Sequence, residues 1–302
     1  MSDNAYPLVS IIALNWNTTQ VTCDFLQSIQ TENTYPNIEV IIVDNNSSED
    51  PTAAFKNVLP SVMVVRNVQN LGFSGGNNIG IGRAKGEFLF IVNNDTEFTP
   101  NLIGELIKTF GTHPDAGIVC PKFHYYYNKG VIEYAGYNRV NIFTGRNSMI
   151  GHKEKDEGQY NKITSTYYAH GGGMMTSKKV IADAGILPEH FFLYYEELDF
   201  SERVRKKGYK IYYQPNALIY HKESMTTGKT SPLKTYYLTR NRILFMKRNM
   251  PVAGLGIFFL FFTFFTIPKN TAVYLLKRQK DHLKSFWKGI LWHFNKRFTF
   301  NS

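Results

Sequence analysis

The sequence predicts an α/β fold: a mostly parallel, Rossmann-like sheet flanked by helices. Three observations predict it. Short apolar runs alternate with helix-length amphipathic segments up to about residue 121, the order that βαβ units produce. The runs are apolar almost throughout, Ile38-Glu39-Val40-Ile41-Ile42-Val43 being broken only by Glu39, as strands buried on both faces are. Acidic residues stand just past these runs or at the opening of a helix: Asp44, Asp95 and the Glu196-Glu197-Leu198-Asp199 cluster. Ligands of open α/β sheets bind at the carboxyl ends of the strands. Carboxylates placed there face one crevice and can serve a nucleotide, a metal and a reacting hydroxyl.

Taken in order, residues 9–14 read as a first strand and 19–31 as a helix with Val21, Phe25, Leu26 and Ile29 on its apolar face. Residues 38–43 and 62–65 are further strands, 76–84 a short glycine-containing helix, and 88–92 a fourth strand. Pro100 is a good opening residue for a helix at 101–113, and 116–119 makes a fifth strand. From 123 to 168 the chain is rich in Tyr, Asn, Gly and Lys, with short alternating runs such as 131–134, which predicts hairpins and loops. Gly171-Gly172-Gly173 breaks the chain before a helix at 178–184, and Gly208 stops a helix at 196–207. Two short strands, 211–213 and 217–220, precede a long helix at 233–249 that carries Arg240 and Arg242.

The 302 residues are 43% hydrophobic and 15% aromatic, enough for a sizeable core. The two cysteines, Cys23 and Cys120, lie in unrelated segments and suggest neither a disulfide framework nor a CxxC metal site. Met1-Ser2-Asp3-Asn4 lacks a basic n-region and 9–14 is too short for a signal h-region, so a cytoplasmic domain is expected. The net charge of +10 is concentrated: residues 269–302 hold eight Lys/Arg against one Asp. A basic tail on a nearly balanced body argues against a nucleic-acid binder.

Residues 249–268 contain no charged side chain and are dense in Phe. About 20 apolar residues suffice to cross a bilayer, but Pro251, Gly254, Gly256 and Pro268 shorten the usable length. In 281–294, Leu283, Phe286, Trp287, Ile290, Leu291 and Phe294 recur at helical spacing, with Lys277, Lys280, Lys284 and Lys288 on the cationic side. That pattern describes a helix lying in a membrane interface. A core-facing helix is the plainer alternative, although one normally carries both charge signs. Spanning the bilayer and lying on it both remain open.

Each polar motif has a chemical use and a commonplace one. Asp44, in Val43-Asp44-Asn45-Asn46-Ser47-Ser48, can accept from a base N–H or a ribose hydroxyl, or can simply form an Asx-turn. The segment Asn70-Leu71-Gly72-Phe73-Ser74-Gly75-Gly76-Asn77-Asn78 opens a helix with backbone N–H groups that can face a phosphate. It matches the G-x-S-x-G nucleophile elbow formally, but the polar Asn67-Val68-Gln69-Asn70 separates Ser74 from the strand that an elbow requires. Asp95, in Asn93-Asn94-Asp95, is a hard oxygen ligand suited to Mg²⁺ or Mn²⁺. Glu196, Glu197 and Asp199 suit the positive end of their helix, yet follow the aromatic Phe191-Phe192-Leu193-Tyr194-Tyr195, so a carboxyl there can act as a base. His221, followed by Lys222, Ser224, Thr226 and Thr227, can complete a metal–diphosphate site.

In this order, Val9-Ser10-Ile11-Ile12-Ala13-Leu14-Asn15-Trp16-Asn17, the Asp44 and glycine motifs, Asn93-Asn94-Asp95, 191–205 and Ile219-Tyr220-His221 resemble family 2 glycosyltransferases, in particular the rhamnosyltransferase-like branch of bacterial surface-polysaccharide enzymes. The resemblance implies a GT-A fold over 1–250, with a nucleotide-binding half (1–121) and an acceptor and catalytic half (122–250), followed by a membrane-associating tail (251–302). It implies an inverting transfer from a nucleotide-diphosphate-sugar, dTDP-rhamnose or a UDP-sugar, to a saccharide or lipid-linked saccharide at the cytoplasmic face of the membrane. A divalent cation, Mg²⁺ or Mn²⁺, is implied, with no nucleic-acid partner. Carried onto these residues, Leu14, Asn15 and Asp44 bind the base, Gly75, Asn77 and Asn94 line the donor, and Asp95 and His221 hold the metal. Glu197 falls at the position of the catalytic base, beside Glu196 and Asp199. Two departures stand out: Glu-Glu where the family usually has Glu-Asp, and Asn93 in place of the first acid of D-x-D. They leave room for a noncatalytic, membrane-anchored binder of nucleotide-sugars.

Overall fold

Apolar strands that cannot face water on either side collect into one sheet covered by helices, and the computed structural model, which describes residues 6–222 and 231–294, contains such a sheet. In chain order the first half comprises β1 (Val9–Asn15), α1 (Thr19–Glu32), β2 (Ile38–Asp44), α2 (Thr52–Val58), β3 (Met63–Arg66), α3 (Gly72–Arg83), β4 (Phe88–Val92), β5 (Thr96–Glu97) and α4 (Leu102–Thr112). There follow β6 (Ala116–Tyr125), β7 (Ile132–Tyr134), β8 (Thr164–Thr166), β9 (Gly173–Ser177), α5 (Lys178–Ala184), α6 (Glu196–Lys206) and β10 (Lys210–His221). The chain ends in α7 (Pro232–Asn249), α8 (Val252–Phe261), a π-helical stretch (Phe262–Thr266), α9 (Ile267–Leu276) and α10 (Lys280–Leu291).

The main path of the ten-stranded sheet runs β3-β2-β1-β4-β9-β6-β10-β5, with β7 on β6 and β8 on β10. The expected parallel arrangement holds over β3, β2, β1 and β4. Beyond them β9 runs antiparallel between β4 and β6, and β10 returns parallel to β6. Ile11, Ile12, Ile41, Ile42, Phe90 and Ile91 have no exposed surface, and Phe25 and Phe98 close over the sheet with ring centroids 5.7 Å apart. Each such side chain contributes roughly 1.5–3 kcal/mol on burial. β10 is one strand, not two. Its pairing with β6 shifts between Gln214 and Leu218, a bulge around Pro215, which has no N–H to donate.

The chain divides into two compact units. The first comprises Met1–Asn138, Met149–Phe192 and Glu196–Thr226 and holds the sheet. The second comprises Arg139–Ser148, Leu193–Tyr195 and Thr227–Ser302. In the second unit α10 packs on α7 closely enough that a Cβ on Gly289 would stand 2.9 Å from the Tyr236 carbonyl. Two of the six residues of the predicted α10 stripe, Phe286 and Ile290, are therefore core; Leu283 is half-buried, and Trp287, Leu291 and Phe294 stay exposed. The 25 residues Val252–Leu276 form a helical segment long and apolar enough to cross a membrane by length and composition, its most apolar 18-residue stretch having a mean hydropathy of 1.8.

Candidate active site

Parallel register sets Asn15, Asp44 and Arg66 side by side at the carboxyl ends of β1, β2 and β3. Asp44 is fully buried. Its Oδ1 accepts from Asn15 Nδ2 (2.8 Å) and Ser47 Oγ (2.5 Å), and its Oδ2 from Ser47 N (3.2 Å) and Arg66 Nε (3.1 Å). Both oxygens are thus engaged by the protein, and the carboxylate orders this corner. Beside it lies a cavity of about 150 Å³ lined by Asn17, Thr19, Ser47, Ser48 and Glu49. A larger cavity of about 280 Å³ sits by Lys210 and Ile211, at the opposite end of β10 from His221, and none of the candidate acids lines it.

The glycine segment behaves differently from the expected phosphate loop. α3 begins at Gly72, so the glycines lie inside the helix. Their small size serves packing: a Cβ on Gly76 would stand 2.8 Å from Leu14, and one on Gly80 would collide with Ile12. The first amides are already used, Phe73 N–H by the Phe192 carbonyl (2.6 Å) and Gly72 N–H by Asn70 Oδ1 (2.8 Å). Gly75 and Asn77 are buried; the Asn77 amide donates to the Phe73 carbonyl while its Oδ1 has no hydrogen-bond partner. Ser74 is buried within the helix, which agrees with setting the nucleophile-elbow reading aside.

A polar chain links this corner to the next strand. Asn94 Nδ2 donates to Thr22 Oγ1 (2.7 Å), and Thr22 Oγ1 donates to Asn15 Oδ1 (2.9 Å). The next residue, Asp95, meets His221 across 126 positions of sequence because the two-residue strand β5 pairs Thr96 with His221. Asp95 Oδ1 lies 3.2 Å from His221 Nε2. On the other side, His221 Nδ1 contacts both carboxylate oxygens of Glu133, at 2.9 and 2.8 Å. Burial lowers the pKa of His221, but Asp95 and Glu133 outweigh it and hold the imidazole at about 10. Glu133 is a site residue that sequence reasoning missed. Its signal was a buried acid in the apolar run Val131-Ile132-Glu133-Tyr134-Ala135.

These groups fit a divalent cation. Two ligands about 2.1 Å from an octahedral ion and at right angles to each other lie about 3 Å apart, close to the observed Asp95–His221 separation. A histidine whose other nitrogen meets a carboxylate is the usual arrangement of a metal-bound imidazole. Among the described residues no three His, Cys, Asp or Glu could hold a metal ion by themselves. Substrate phosphates complete the coordination of such ions when only one or two protein ligands are present.

His170, also missed, lies among the rings of Phe123, Tyr134 and Tyr137. Burial, reinforced by the neighbouring His221, pushes its pKa down to about 3, so it is neutral. Its Nδ1 accepts from Gly172 N–H (3.1 Å), which leaves the proton on Nε2. The Gly172 carbonyl in turn accepts from Asn93 N–H (3.0 Å), tying the Gly171–Gly173 turn to the end of β4.

Opposite that turn stands the acidic start of α6. A Cβ on Gly171 would lie 3.7 Å from Glu197 Cδ. Burial, then Glu197 and Glu133, raise the pKa of Tyr137 well above its usual value, so one ring senses both carboxylates. Of the three acids, Glu196 and Asp199 are buried, and Asp199 pairs with Arg203 (3.4 Å). Arg203 also donates to the Ala184 and Ile186 carbonyls. Glu197 is the one partly open to solvent. Before it, Phe192, Tyr194 and Tyr195 all have positive φ (65°, 69° and 74°), an uncommon conformation for bulky residues that gathers at functional sites. In the second unit the Asn241 amide donates to the Leu193 and Tyr194 carbonyls, at 2.7 and 2.9 Å. Ser224, Thr226 and Thr227 lie outside the described residues.

Comparison with known proteins bears on the family and the fold. The chain is 28% identical over 257 residues to the uncharacterized protein y4gI of Sinorhizobium fredii, covering 80% of this chain but 27% of that protein. It is 28% identical to the low-salt glycan biosynthesis hexosyltransferase Agl10 of Haloferax volcanii, covering 68% and 66% of the two. With an N-acetylglucosaminyl-diphospho-decaprenol L-rhamnosyltransferase of Mycobacterium tuberculosis it shares 22% identity over 68% of this chain and 73% of the relative. Its backbone matches that of GalNAc-T7, solved with UDP, GalNAc and Mn²⁺, at a TM-score of 0.64 and 15% identity over 81% and 49% of the chains. The mannosyltransferase PcManGT of Pyrobaculum calidifontis, solved with GDP-Man and Mn²⁺, matches at 0.60 and 12% identity over 98% and 89%. The fold is therefore GT-A. The glycosyl transferase family 2 description matches residues 10–184, more than half of the chain, and the protein belongs to that family.

Proposed function

We propose that the protein is an inverting, cation-dependent glycosyltransferase that moves a sugar from a nucleotide-diphosphate-sugar to a lipid-linked saccharide in surface-polysaccharide synthesis. The observation that carries this reading is the meeting of residues distant in sequence: Asp95 with His221 and Glu133, and Glu197 against the Gly171 turn tied to the same strand end. In this reading Asp95 and His221 would hold Mn²⁺ or Mg²⁺, and the bound ion would supply positive charge to a departing diphosphate. Glu133 fixes the His221 ring so that Nε2 faces the site. Glu197, partly open to solvent, takes the proton of the acceptor hydroxyl as its oxygen attacks the anomeric carbon from the face opposite the leaving group. Gly171, lacking a side chain, lets a sugar approach the backbone beside that carboxylate. Asn15, Asp44 and Leu14 form the base end, with Asp44 acting through the Ser47 and Arg66 it orders. Gly75 and Asn77 line the donor from α3, and Asn94 from the turn after β4.

dTDP-rhamnose is the preferred donor, supported by the named rhamnosyltransferase relative, with UDP-sugars next. The apolar segment and the basic helix α10 after it support residence at the cytoplasmic face of a membrane, with 1–250 as the transfer domain and 251–302 as the attachment. The test is Glu197→Gln: transfer is lost while donor with Mn²⁺ still raises the melting temperature. Retained turnover removes Glu197 from the role of base. Donor binding without release of nucleotide by the wild type, whatever the acceptor, marks a noncatalytic binder instead.

A further inference from the structure

The second unit carries sixteen Lys and Arg residues but one acidic side chain, Asp281, leaving 18 basic residues against 23 acids in the first unit. Exposed lysines need only water. Arg242 is different. It is 3% exposed, within the buried stretch of α7, and its Nε has no hydrogen-bond partner. Among the described residues no carboxylate pairs with it. Its guanidinium lies 4.8 Å from the centre of the Phe262 ring. Burial, with Arg146 adding a like charge and Tyr195 and Tyr274 opposing only in part, lowers its pKa to about 10. A cation–π contact recovers much less than the hydration that a buried guanidinium gives up. Something else must complete this site.

Its surroundings indicate what. Arg146 follows Gly145, whose φ of 63° presses the loop onto α7; a Cβ there would stand 3.0 Å from Arg242 Cγ and 2.9 Å from Phe258. Asn147, next in that loop, has a buried amide nitrogen without a partner. Phe262 opens the π-helical stretch, a departure from α geometry frequent at functional sites. That same helical segment exposes Leu260 (63%), Phe264 (68%) and Phe265 (62%). A guanidinium whose buried Nε lacks a partner can turn its fork to phosphate oxygens, and the apolar helix beside it matches a hydrocarbon chain.

We infer that Arg242, aided by Arg146, binds the phosphate of an amphiphile, a phosphate or diphosphate ester whose long apolar chain lies along Val252–Leu276. This deepens the reading of a lipid-linked acceptor given above and rests on it. The experiment uses the full chain in neutral dodecyl maltoside micelles without divalent cation, so that diphosphate cannot occupy the Asp95–His221 side. Farnesyl diphosphate, farnesol and inorganic pyrophosphate are titrated calorimetrically. Farnesyl diphosphate is expected to bind at least tenfold more tightly than either of the others. Arg242→Met should weaken it at least tenfold without lowering the ligand-free melting temperature, because an unpaired buried charge has been removed. Arg146→Gln should weaken it several-fold. Unchanged affinity in Arg242→Met overturns the inference. If Arg242→Met does not fold, equal affinity in both Arg242→Lys and Arg146→Gln overturns it as well. Pyrophosphate binding as tightly as farnesyl diphosphate overturns the amphiphile and leaves a free-anion site. Donor binding with Mn²⁺, measured separately, distinguishes the two readings: its presence without farnesyl diphosphate binding defeats only this inference, and its absence defeats glycosyl transfer.

Discussion

Glu133→Gln is the sharpest perturbation of the cation site, because it alters a residue that touches neither substrate nor metal in the proposed arrangement. Glu133 is 4% exposed and its two oxygens stand 2.9 and 2.8 Å from His221 Nδ1. The glutamine keeps the shape and one acceptor but removes the charge that orients the ring and makes it basic. Loss of such a carboxylate partner typically costs about 10–100-fold in metal affinity, or about 1.4–2.8 kcal/mol. Mn²⁺ titration followed by electron paramagnetic resonance, with nucleoside diphosphate present, measures this directly. The Mn²⁺ concentration giving half-maximal transfer should rise by the same factor. A Mn²⁺ affinity within twofold of wild type would refute the argument that Glu133 serves His221 as a ligand.

Other predictions follow from the same contacts. In metal-free protein His221 has a raised pKa, so its ionic contribution to stability is complete below about pH 6.5 and is lost as pH rises through about 10. The stability difference between wild type and His221→Asn, read by urea melts, should therefore shrink from pH 7 to pH 10; a constant difference contradicts the assignment. Asn241→Ala removes the donor to the Leu193 and Tyr194 carbonyls and should cost about 1–3 kcal/mol. No loss in a chemical melt would show that the positive-φ loop stands without it. Asp199→Asn should lower stability through Arg203 but leave the pH dependence of kcat unchanged, whereas Glu197→Asp should lower kcat with little change in donor affinity; the reverse pattern reassigns the base.

Strand and helix order was legible wherever a single periodicity ran long enough. β4 is apolar throughout, β1 and β2 are apolar but for Ser10 and Glu39 up to their polar last residues, and α1, α4 and α6 each have one buried face. What escaped had little pattern to offer. β5 has two residues, α2 has seven with Phe55 alone buried, and β9 begins inside a glycine run and takes its strand character from β4 and β6 on either side. α3 starts four residues earlier than its composition suggests, because glycine there is favoured by contact with Leu14 and Ile12 and not by helix propensity. The acids were legible as acids at strand ends. That Asp44 is saturated by Ser47 and Arg66 was not, since Arg66 comes from a separate strand. Glu133 reaches His221 through the pairing of β7 with β6 and of β6 with β10, and His170 through the turn before β9, which pairs with β6; no local spacing encodes either.

The most direct measurement is anomalous scattering from crystals grown with Mn²⁺ and a nucleoside diphosphate. The account predicts one strong peak bounded by Asp95 and His221, with the diphosphate on its open side and the nucleoside toward Asn15 and Asp44. A peak elsewhere, or a diphosphate bound away from those residues, would contradict it.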